Sequence, residues 1–523
     1  MVEECRFGGT NNVGVNGVDV TFLQHRLQQL RDFPEIGFHP ANLPELVDQL
    51  VEFEKQGLDL TRGIVLLDAE GQLQLRKGRP SVASEYEDIP QGAVPLKPFF
   101  YVKDEVIVAS WASEAVRSVL SRRNRQWEPP PPTLPMPQAM EEVEVLKLTR
   151  TGSAEEVQDV DAWVEVQAIL AEVPGQRRRL AGQETEVLEP PVSVNVLFYA
   201  SGMDCGSPAG DPEEPGDRVP ERGTPGAGRG VVVAVLDSGL LPDYANNPAL
   251  AADVMVDPAR DTDMTYSRGY IHFPGCHGTF VAGVVRRVAP ACTIVAIKVL
   301  NDLGWGSQYQ VAAGLYRAMA AGAEVICMSL TAAIPPTGTI DPDTGLPVDP
   351  TSVSPLALGP ALATVFASDV AMVGAAGNTG RDEPTWPGTL PEVLAVGAVT
   401  KKGRQAWFSN FGPWIEVWAR GTKVVSAFGT GPYRPIRGGR TLNFSGLAVW
   451  SGTSFATPLV AGMIAARKAS DGSSPLAAKA QVLADCVRRP ELGPGPTGDG
   501  VPMLTLDTKV PYPPSPPAPT PGP

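Results

Sequence analysis

The chain has 523 residues, of which 43% are hydrophobic, and its formal net charge at pH 7 is −15. At roughly 100–200 residues per domain, this length predicts two to four domains. The acidic balance argues against a nucleic-acid partner, which selects basic surfaces. Because no stretch reaches the roughly 18 apolar residues that span a bilayer, we also expect no membrane partner.

The cysteine spacing and the first residues of the chain indicate where in the cell the protein is expected. Cys5, Cys205, Cys276, Cys292, Cys327 and Cys486 are scattered without a CxxC pair. This scatter argues against a disulfide framework or a zinc site and favours reduced, buried thiols. The start, MVEECRFGGTNN, lacks the basic segment and apolar core of a secretory signal. We therefore expect a cytoplasmic location, with secretion by another route as the alternative.

The N-terminal part of the chain divides into two regions. Residues 1–96 contain helical patterns at 20–30 and 43–53, and the role of this region is unknown. Residues 97–200 predict a strand, a helix, a strand, a helix and a strand, at 99–110, 112–122, 144–148, 160–173 and 192–199. A Pro-rich break, WEPPPPTLPMP, interrupts this order after the first helix. The order predicts a small α+β module.

The rest of the chain predicts one large domain between a linker and a tail. Residues 201–229 are rich in Gly, Pro and acidic residues, which is typical of a flexible linker, and residues 491–523 form a Pro-rich tail that we expect to be disordered. Residues 230–490 alternate apolar strands at 231–236, 293–300, 325–330, 372–376 and 393–399 with helices at 279–288, 311–321 and 360–370. This alternation predicts an α/β domain with a parallel sheet covered on both faces.

Two candidate catalytic residues lie where strands end and helices begin. Asp237 directly follows the apolar run VVVAVL, at the sheet edge where functional groups of open parallel sheets collect. His277 precedes apolar residues at helical spacing, which places it at a helix start. Taken alone, each has a structural alternative, a loop or N-cap aspartate and a structural histidine.

Peptide hydrolysis by a serine also needs the nucleophile itself and hydrogen-bond donors for the oxyanion, and two further residues are candidates for these roles. Ser454, in WSGTSFATPLVAG, opens a predicted helix, and its backbone N–H could face an oxyanion. Asn378, in MVGAAGNTG, follows an apolar strand, and its amide can donate the second hydrogen bond. A helix cap and a turn residue are the respective alternatives.

The blocks DSG, HGTFVAG, AAGN and GTSFATP, in this order, resemble the signature blocks of the subtilisin family of serine peptidases over about residues 230–490. The resemblance implies a three-layer α/β catalytic domain with a parallel sheet. It also implies roles: Asp237 orients the imidazole, His277 acts as general base and then acid, and Ser454 attacks the carbonyl. Asn378 and the amide of Ser454 would then form the oxyanion hole.

The same resemblance implies a substrate cleft. VICMSL at 325–330 resembles the strand that pairs with the substrate backbone. The implied substrate-binding residues are Ser329, Leu330, Thr331, Ala375, Ala376 and Gly377. Small glycines usually follow the Ser-Leu pair in the family, whereas Thr331 and Ala332 follow here. Their side chains would narrow the cleft, so substrate specificity does not transfer from the family.

Residues 97–200 resemble the propeptide-like modules that precede subtilisin domains. Such modules pack on the catalytic domain and place their last strand near the cleft. Here that strand would be VSVNVLFYAS, and residues 201–229 would be the linker to cut. We therefore expect an intramolecular N-terminal inhibitor module, with a plain adaptor or partner-binding domain as the alternative.

The predicted chemistry requires no cofactor and no metal. Asp341, Asp343 and Asp349 could bind calcium, but they do not match a complete EF-hand loop, and a solvated loop is the favoured interpretation. Cys276 adjoins His277, and we hypothesise that thiol reagents inhibit through it; the alternative is a buried, inert thiol.

The leading hypothesis is a serine endopeptidase that hydrolyses proteins or peptides through an Asp-His-Ser triad and an acyl-enzyme, made as a zymogen or tethered to its N-terminal regions. An alternative from another class is a catalytically silent protein that holds peptides in the same cleft. A further alternative makes the N-terminal half a docking platform that brings proteolysis to a partner.

Overall fold

The computed structural model describes four short strands between residues 36 and 95 and most of the chain from 99 to 504. Within 99–504, the positions that it does not describe are 130–141, 151–159, 181–185, 201–210, 219–222, 248, 251–252, 264–265, 268, 272–275, 303, 336–352, 354, 381, 436–439, 490–491 and 493–500. The helices predicted at 20–30 and 43–53, the aspartates of the possible calcium loop and most of the Pro-rich tail lie outside the described residues.

The first described strands are short. They are β1 (Ile36–His39), β2 (Gly63–Leu67), β3 (Leu73–Lys77) and β4 (Val94–Pro95). Strand β2 pairs antiparallel with both β3 and β4 to form a three-stranded sheet. Strand β1 pairs with the first strand of the following module.

A small α+β module follows, and each of its predicted elements is present. Its elements are β5 (Phe99–Ala109), α1 (Ser113–Arg122), β6 (Arg125–Glu128), β7 (Val143–Arg150), α2 (Ala162–Leu170), β8 (Gln176–Arg178), β9 (Val187–Glu189) and β10 (Val192–Ala200). The strand order β10-β5-β7-β6 is antiparallel throughout. Strand β6 was not predicted: Trp127, where the Pro-rich break was expected to begin, pairs with Leu148 and packs on the core.

The large domain contains the remaining strands. They are β11 (Val232–Asp237), β12 (Val254–Met255), β13 (Tyr266–Ser267), β14 (Tyr270–Ile271), β15 (Thr293–Lys298), β16 (Trp305–Ser307), β17 (Val325–Met328), β18 (Leu330–Ala333), β19 (Ala371–Ala375), β20 (Thr385–Trp386), β21 (Val393–Val399), β22 (Val417–Arg420), β23 (Val424–Tyr433), β24 (Leu442–Trp450), β25 (Val487–Arg489) and β26 (Val501–Met503). Its helices are α3 (His277–Val288), α4 (Gln308–Ala320), α5 (Leu358–Ala367), α6 (Thr453–Asp471) and α7 (Pro475–Asp485).

The central sheet has the order β12-β15-β11-β17-β19-β21-β22-β26-β25 and is parallel up to β26. Successive side chains of β11 point to opposite faces, as strand geometry requires. Ala234 and Leu236 belong to the core cluster that includes residues of α4 and α5, whereas Val233 and Val235 belong to the cluster of α3 and α6. The prediction of a parallel sheet covered on both faces is therefore confirmed.

Strand β10 joins the module to the large domain. One edge of β10 pairs with β5 of the module, and the strand also pairs antiparallel with β16 and β18. The apolar residues of the module belong to the same core cluster as α4, α5 and one face of the central sheet. Because β10 belongs to both units, it fixes the module to the large domain at β16 and β18.

Gly283 lies in α3 where this helix packs on β23. An added Cβ atom would lie 2.4 Å from Ser426 Oγ and 2.9 Å from Ala427 Cβ. We expect Gly283→Val to reduce the free energy of unfolding by about 1–3 kcal/mol, which is typical of overpacking a core. Ala484→Val, on an exposed part of α7, is the control and should change stability by less than about 0.5 kcal/mol. Equal effects of the two substitutions in urea unfolding would contradict this packing argument.

Candidate active site

Asp237 is the last residue of β11 and is 1% exposed. Its Oδ1 accepts hydrogen bonds from the backbone N–H of Ser238 at 2.7 Å and from His277 Nδ1 at 2.8 Å. Its Oδ2 has no hydrogen-bond partner among the described residues. Since a carboxylate can only accept, Nδ1 of the histidine carries the proton in this bond.

His277 is the first residue of α3 and is also 1% exposed. The helix can begin this close to β11 because residue 278 is a glycine. A Cβ atom on Gly278 would lie 2.3 Å from the carbonyl oxygen of Gly239 and 3.2 Å from Asp237 Cβ. With Nδ1 bound to the carboxylate, Nε2 is the ring nitrogen that can take a proton, and it has no hydrogen-bond partner within the described part of the chain.

Aromatic rings surround the imidazole. The ring of Trp450 meets it edge-on with centroids 5.8 Å apart, and the ring of Phe455 lies at 5.5 Å. Phe280, one turn along α3, packs on both of these rings. This enclosure lowers the local dielectric and so strengthens the bond between the histidine and the carboxylate.

Ser454 is the second residue of α6 and is fully buried. Its Oγ donates to the carbonyl oxygen of Ser329 at 3.4 Å, and Ser329 Oγ donates to the carbonyl oxygen of Ser454 at 2.8 Å. The next residue, Phe455, contacts the ring of His277, but Ser454 Oγ is not hydrogen-bonded to His277 Nε2. Such bonds are often long in unliganded sites, and a rotation about χ1 of the serine redirects Oγ.

Asn378 lies after β19 and is fully buried. Its Oδ1 accepts from the backbone N–H of Thr453 at 2.8 Å and from Thr453 Oγ1 at 3.0 Å. Thr453 Oγ1 in turn accepts from the N–H of Gly377 at 3.2 Å. Because a backbone N–H can only donate, Oδ1 must face Thr453, and Nδ2 lies on the other branch of the amide. Sequence reasoning missed this positioning role of Thr453, although the residue lies within the GTS block.

The predicted substrate-binding residues fall into two groups. Leu330 and Thr331 lie in β18 and pair with Ala200 and Tyr199 of β10, respectively. Ser329 precedes them and bonds to the backbone of the candidate nucleophile. This part of the predicted cleft therefore already holds an extended strand of the same chain.

The second group lies at the end of β19. Ala375, Ala376 and Gly377 have no side chain that could bond a ligand, and the two alanines are fully buried. The carbonyl oxygen of Ala376 accepts from Thr385 Oγ1 at 3.1 Å, and that of Gly377 accepts from the N–H of Asn410 at 3.0 Å. These carbonyl groups are engaged within the protein rather than presented to the strand in the cleft.

Asp263 holds the backbone around the Asp237–His277 pair in place, and the sequence analysis did not predict this role. Its Oδ2 accepts from Ser238 Oγ at 3.0 Å and from the N–H of Cys276 at 3.2 Å, and Ser238 Oγ accepts from the N–H of Gly278 at 3.2 Å. The carboxyl thereby links the residue after Asp237 to the residues on both sides of His277. Burial raises the pKa of Asp263 to about 8, against the opposing effect of Lys298, whose Nζ lies 3.9 Å from Oδ1.

Cys276 is fully buried and adopts a left-handed backbone conformation with φ of 75°. Burial raises the pKa of its thiol well above the ordinary value. Because the thiolate is the reactive form, this environment favours the buried, inert alternative over inhibition by thiol reagents.

Within the described residues, no group of His, Cys, Asp and Glu side chains is arranged to hold a metal ion. None of the helices in this described part combines the length and the apolar character that crossing a bilayer requires.

Comparison with known proteins identifies relatives of the large domain. Residues 228–486 match the subtilase family. The chain is 32% identical to a thermostable alkaline protease of Halalkalibacterium halodurans, with 46% of this chain and 56% of that protein covered. It is 30% identical to subtilisin DY of Bacillus licheniformis, covering 49% of this chain and 83% of the relative. It is 29% identical to thermitase of Thermoactinomyces vulgaris, covering 47% and 77%, respectively.

The matched region coincides with the α/β domain that carries the hydrogen-bonded pair of Asp237 and His277. The relatives are named as proteases and subtilisins, and none of these names supports a catalytically silent protein. Together the fold and these relatives support serine endopeptidase activity, and the chain belongs to the subtilase family of serine peptidases.

Proposed function

We propose that the chain hydrolyses peptide bonds with Ser454 as nucleophile, His277 as general base and acid, and Asp237 as the carboxylate that orients the imidazole. The observation that carries this proposal is the buried 2.8 Å hydrogen bond between His277 Nδ1 and Asp237 Oδ1, with α6 beginning beside it. The substrate class is a protein or peptide that can lie as an extended strand between β16 and β18.

The first half of the reaction forms an acyl-enzyme. His277 Nε2 takes the proton of Ser454 Oγ as this oxygen attacks the scissile carbonyl. The imidazolium that results is stabilised by the adjacent carboxylate of Asp237. Collapse of the tetrahedral intermediate breaks the C–N bond, and the leaving amine receives the proton from Nε2.

The second half releases the acyl group. A water molecule attacks the ester, His277 takes its proton, and the return of that proton to Oγ restores the serine and frees the carboxylic acid product. In both halves the negative oxygen would be held by the amide of Asn378 and the backbone N–H of Ser454. These groups supply the nucleophile, the base and the oxyanion donors, so we propose that hydrolysis requires no cofactor.

We further propose that residues 97–200 act as an intramolecular inhibitor. The support is strand β10, whose Tyr199 and Ala200 pair with Thr331 and Leu330. The N–H of Ala200 also donates to the carbonyl oxygen of Gly304 at 2.9 Å. A substrate strand would need these same backbone groups, so it must displace β10 to bind. Cleavage within the linker after β10 would begin the release of the module.

A cytoplasmic location stays a prediction. Among the described residues, Cys276, Cys292, Cys327 and Cys486 are free thiols, which favours a reducing compartment. Fractionation of cells that make the protein, with the chain found in the exported fraction, would contradict it.

The nucleophile is tested with a fluorophosphonate probe and mass spectrometry. We expect the probe to add to the wild-type chain at Ser454 and not to Ser454→Ala, because the probe reacts with the serine that the histidine activates. We also expect a shorter product in the wild type alone, from cleavage between β10 and the large domain. Labelling of Ser454→Ala to the same extent as the wild type would overturn the assignment.

The inhibitor role is tested by Ala200→Pro, which removes the N–H that bonds to Gly304 and should loosen the end of β10. We expect the uncleaved variant to react with the probe about 2- to 13-fold faster than the wild type, since losing one hydrogen bond is worth roughly 0.5–1.5 kcal/mol. Ala200→Ser keeps the N–H and serves as the matched control. Equal labelling rates of the two variants would contradict occlusion by β10.

The buried carboxyl of Asp263 predicts a pH dependence. Its pKa of about 8 in the folded chain lies above the roughly 3.9 of an unperturbed aspartate, so the folded state holds a proton that the unfolded state releases. This contribution to stability is complete below about pH 4 and is lost as the pH rises through 8. Asp263→Asn keeps an acceptor for Ser238 and Cys276 but has no proton to lose.

We therefore expect Asp263→Asn to gain stability relative to the wild type as the pH rises from 5 to 8, by up to about 1.4 kcal/mol per pH unit. Melting temperatures at a series of pH values measure this difference. Asp217→Asn, at an exposed position, is the control and should follow the wild-type curve. Parallel curves for Asp263→Asn and the wild type would refute the prediction.

A further inference from the structure

An acidic segment of the chain lies on the edge of the strand that leads to Ser454. Among the described strands, β24 is the outer strand of the sheet β13-β14-β23-β24. At its outer edge, the N–H of Glu213 donates to the carbonyl oxygen of Val449 at 2.8 Å, and the N–H of Val449 donates to the carbonyl oxygen of Glu213 at 2.9 Å. The segment is thus joined to the edge of the sheet by one antiparallel β-bridge, and pairing with a sheet edge is a recurring mode of peptide recognition.

Cations flank this edge and bind the side chains of the segment. Lys423 Nζ contacts both carboxylate oxygens of Glu213, at 2.8 Å and 3.0 Å. Arg440 forms an ion pair with Glu214, whose Oε1 also accepts from the N–H of Asn443 at 2.9 Å. The bond from Arg440 and that backbone N–H lower the pKa of Glu214, so this carboxylate is held in its charged form.

A third carboxylate of the same segment is bound at the end of β23. The hydroxyl of Tyr433 donates to Asp211 Oδ1 at 2.5 Å. The tyrosine is 1% exposed, so its hydroxyl is a fixed donor rather than a mobile surface group. Asp211, Glu213 and Glu214 each therefore have a separate partner, contributed by β23, β24 or the residues next to them.

The end of β24 lies beside the histidine of the proposed catalytic centre. Val449 adjoins Trp450, whose ring contacts the ring of His277. In serine hydrolysis the histidine gives its proton to the leaving amine, so the part of a substrate beyond the scissile bond must pass beside it. The opposite side is the one on which Ala200 pairs with Leu330. Strand β10 precedes the acidic segment in the chain, as the N-terminal side of a substrate precedes its C-terminal side.

Resting on the function proposed above, we propose that the outer edge of β24, with Lys423 and Arg440, is a substrate subsite for an acidic, extended peptide segment on the C-terminal side of the scissile bond. The segment 211–214 of the chain, Asp-Pro-Glu-Glu, is its intramolecular occupant. Backbone pairing with Val449 supplies affinity for any extended peptide, and the two cations select carboxylates.

The solvent exposure of the two cations limits how strongly they can favour an acidic peptide. The side chains of Lys423 and Arg440 are 58% and 70% exposed, so each ion pair is screened by solvent. Exposed pairs change affinity by about 1.4- to 5-fold each, and salt weakens them. Two such pairs should therefore favour an acidic segment by about 2- to 25-fold at low salt, and the preference should fall as salt rises.

The test measures binding of two labelled peptides by fluorescence anisotropy. One is residues 207–218, SPAGDPEEPGDR, and the other carries Glu213→Gln and Glu214→Gln. The protein is the full chain with Ser454→Ala, to prevent cleavage, together with Glu213→Gln and Glu214→Gln, to weaken its own occupant. We expect the acidic peptide to bind at least about twofold more tightly at low salt.

Removal of the cations should abolish this preference. We expect Lys423→Ala with Arg440→Ala to give equal dissociation constants for the two peptides. Arg467→Ala, which removes an arginine paired with Asp485 on the α6–α7 surface, is the matched control and should keep the preference. Equal affinities before the cations are removed, or no binding of the acidic peptide, would overturn the subsite.

Cleavage of the same peptide sequences in longer substrates separates this inference from the proposed function. A wild-type chain that reacts with the fluorophosphonate probe but cleaves acidic and neutral substrates equally would refute the subsite and leave the peptidase intact. A chain that binds the acidic peptide preferentially but never reacts with the probe would refute the link to hydrolysis.

Discussion

The site depends on one buried hydrogen bond, from the imidazole of His277 to the carboxylate of Asp237. Burying a carboxylate is costly unless its oxygens are bonded, and here the histidine and the N–H of Ser238 satisfy Oδ1. The surrounding elements position Asp237 and His277 for this bond. The end of β11 supplies the carboxylate, the start of α3 supplies the ring, and Gly278 lets the two approach. Asp263 then joins the two backbone segments through Ser238 and Cys276.

Much of the fold could be predicted from the sequence because its strands and helices have clear patterns. The apolar run that ends at Asp237 is buried on both faces, and the helical spacing after His277 marks α3. Strand β6 was missed because Trp127 lies where a Pro-rich stretch begins. Its pairing with Leu148 depends on a partner in another element, which a local pattern does not reveal. Membership of the subtilase family was also predicted, from four short blocks in a fixed order.

The site was predictable where its residues lie in those blocks and not where they act through space. Thr453 orients Asn378 although the two are 75 positions apart, and no spacing rule connects them. Asp263 lies in a loop without periodicity, so its position beneath the site could not be inferred from sequence. The orientation of Ser454 towards Ser329 was likewise not predictable, because the two residues are 125 positions apart.

Strand β10 belongs to two sheets at once, and this has a thermodynamic consequence. Its pairing with β5 helps to close the core of the module, and its pairing with β16 and β18 closes the cleft. Removing β10 from the cleft therefore also breaks hydrogen bonds that hold the module together. If the module is the inhibitor proposed above, the free energy that holds it together would set the threshold for activation, and heat, denaturant or nicking of the module would activate the enzyme.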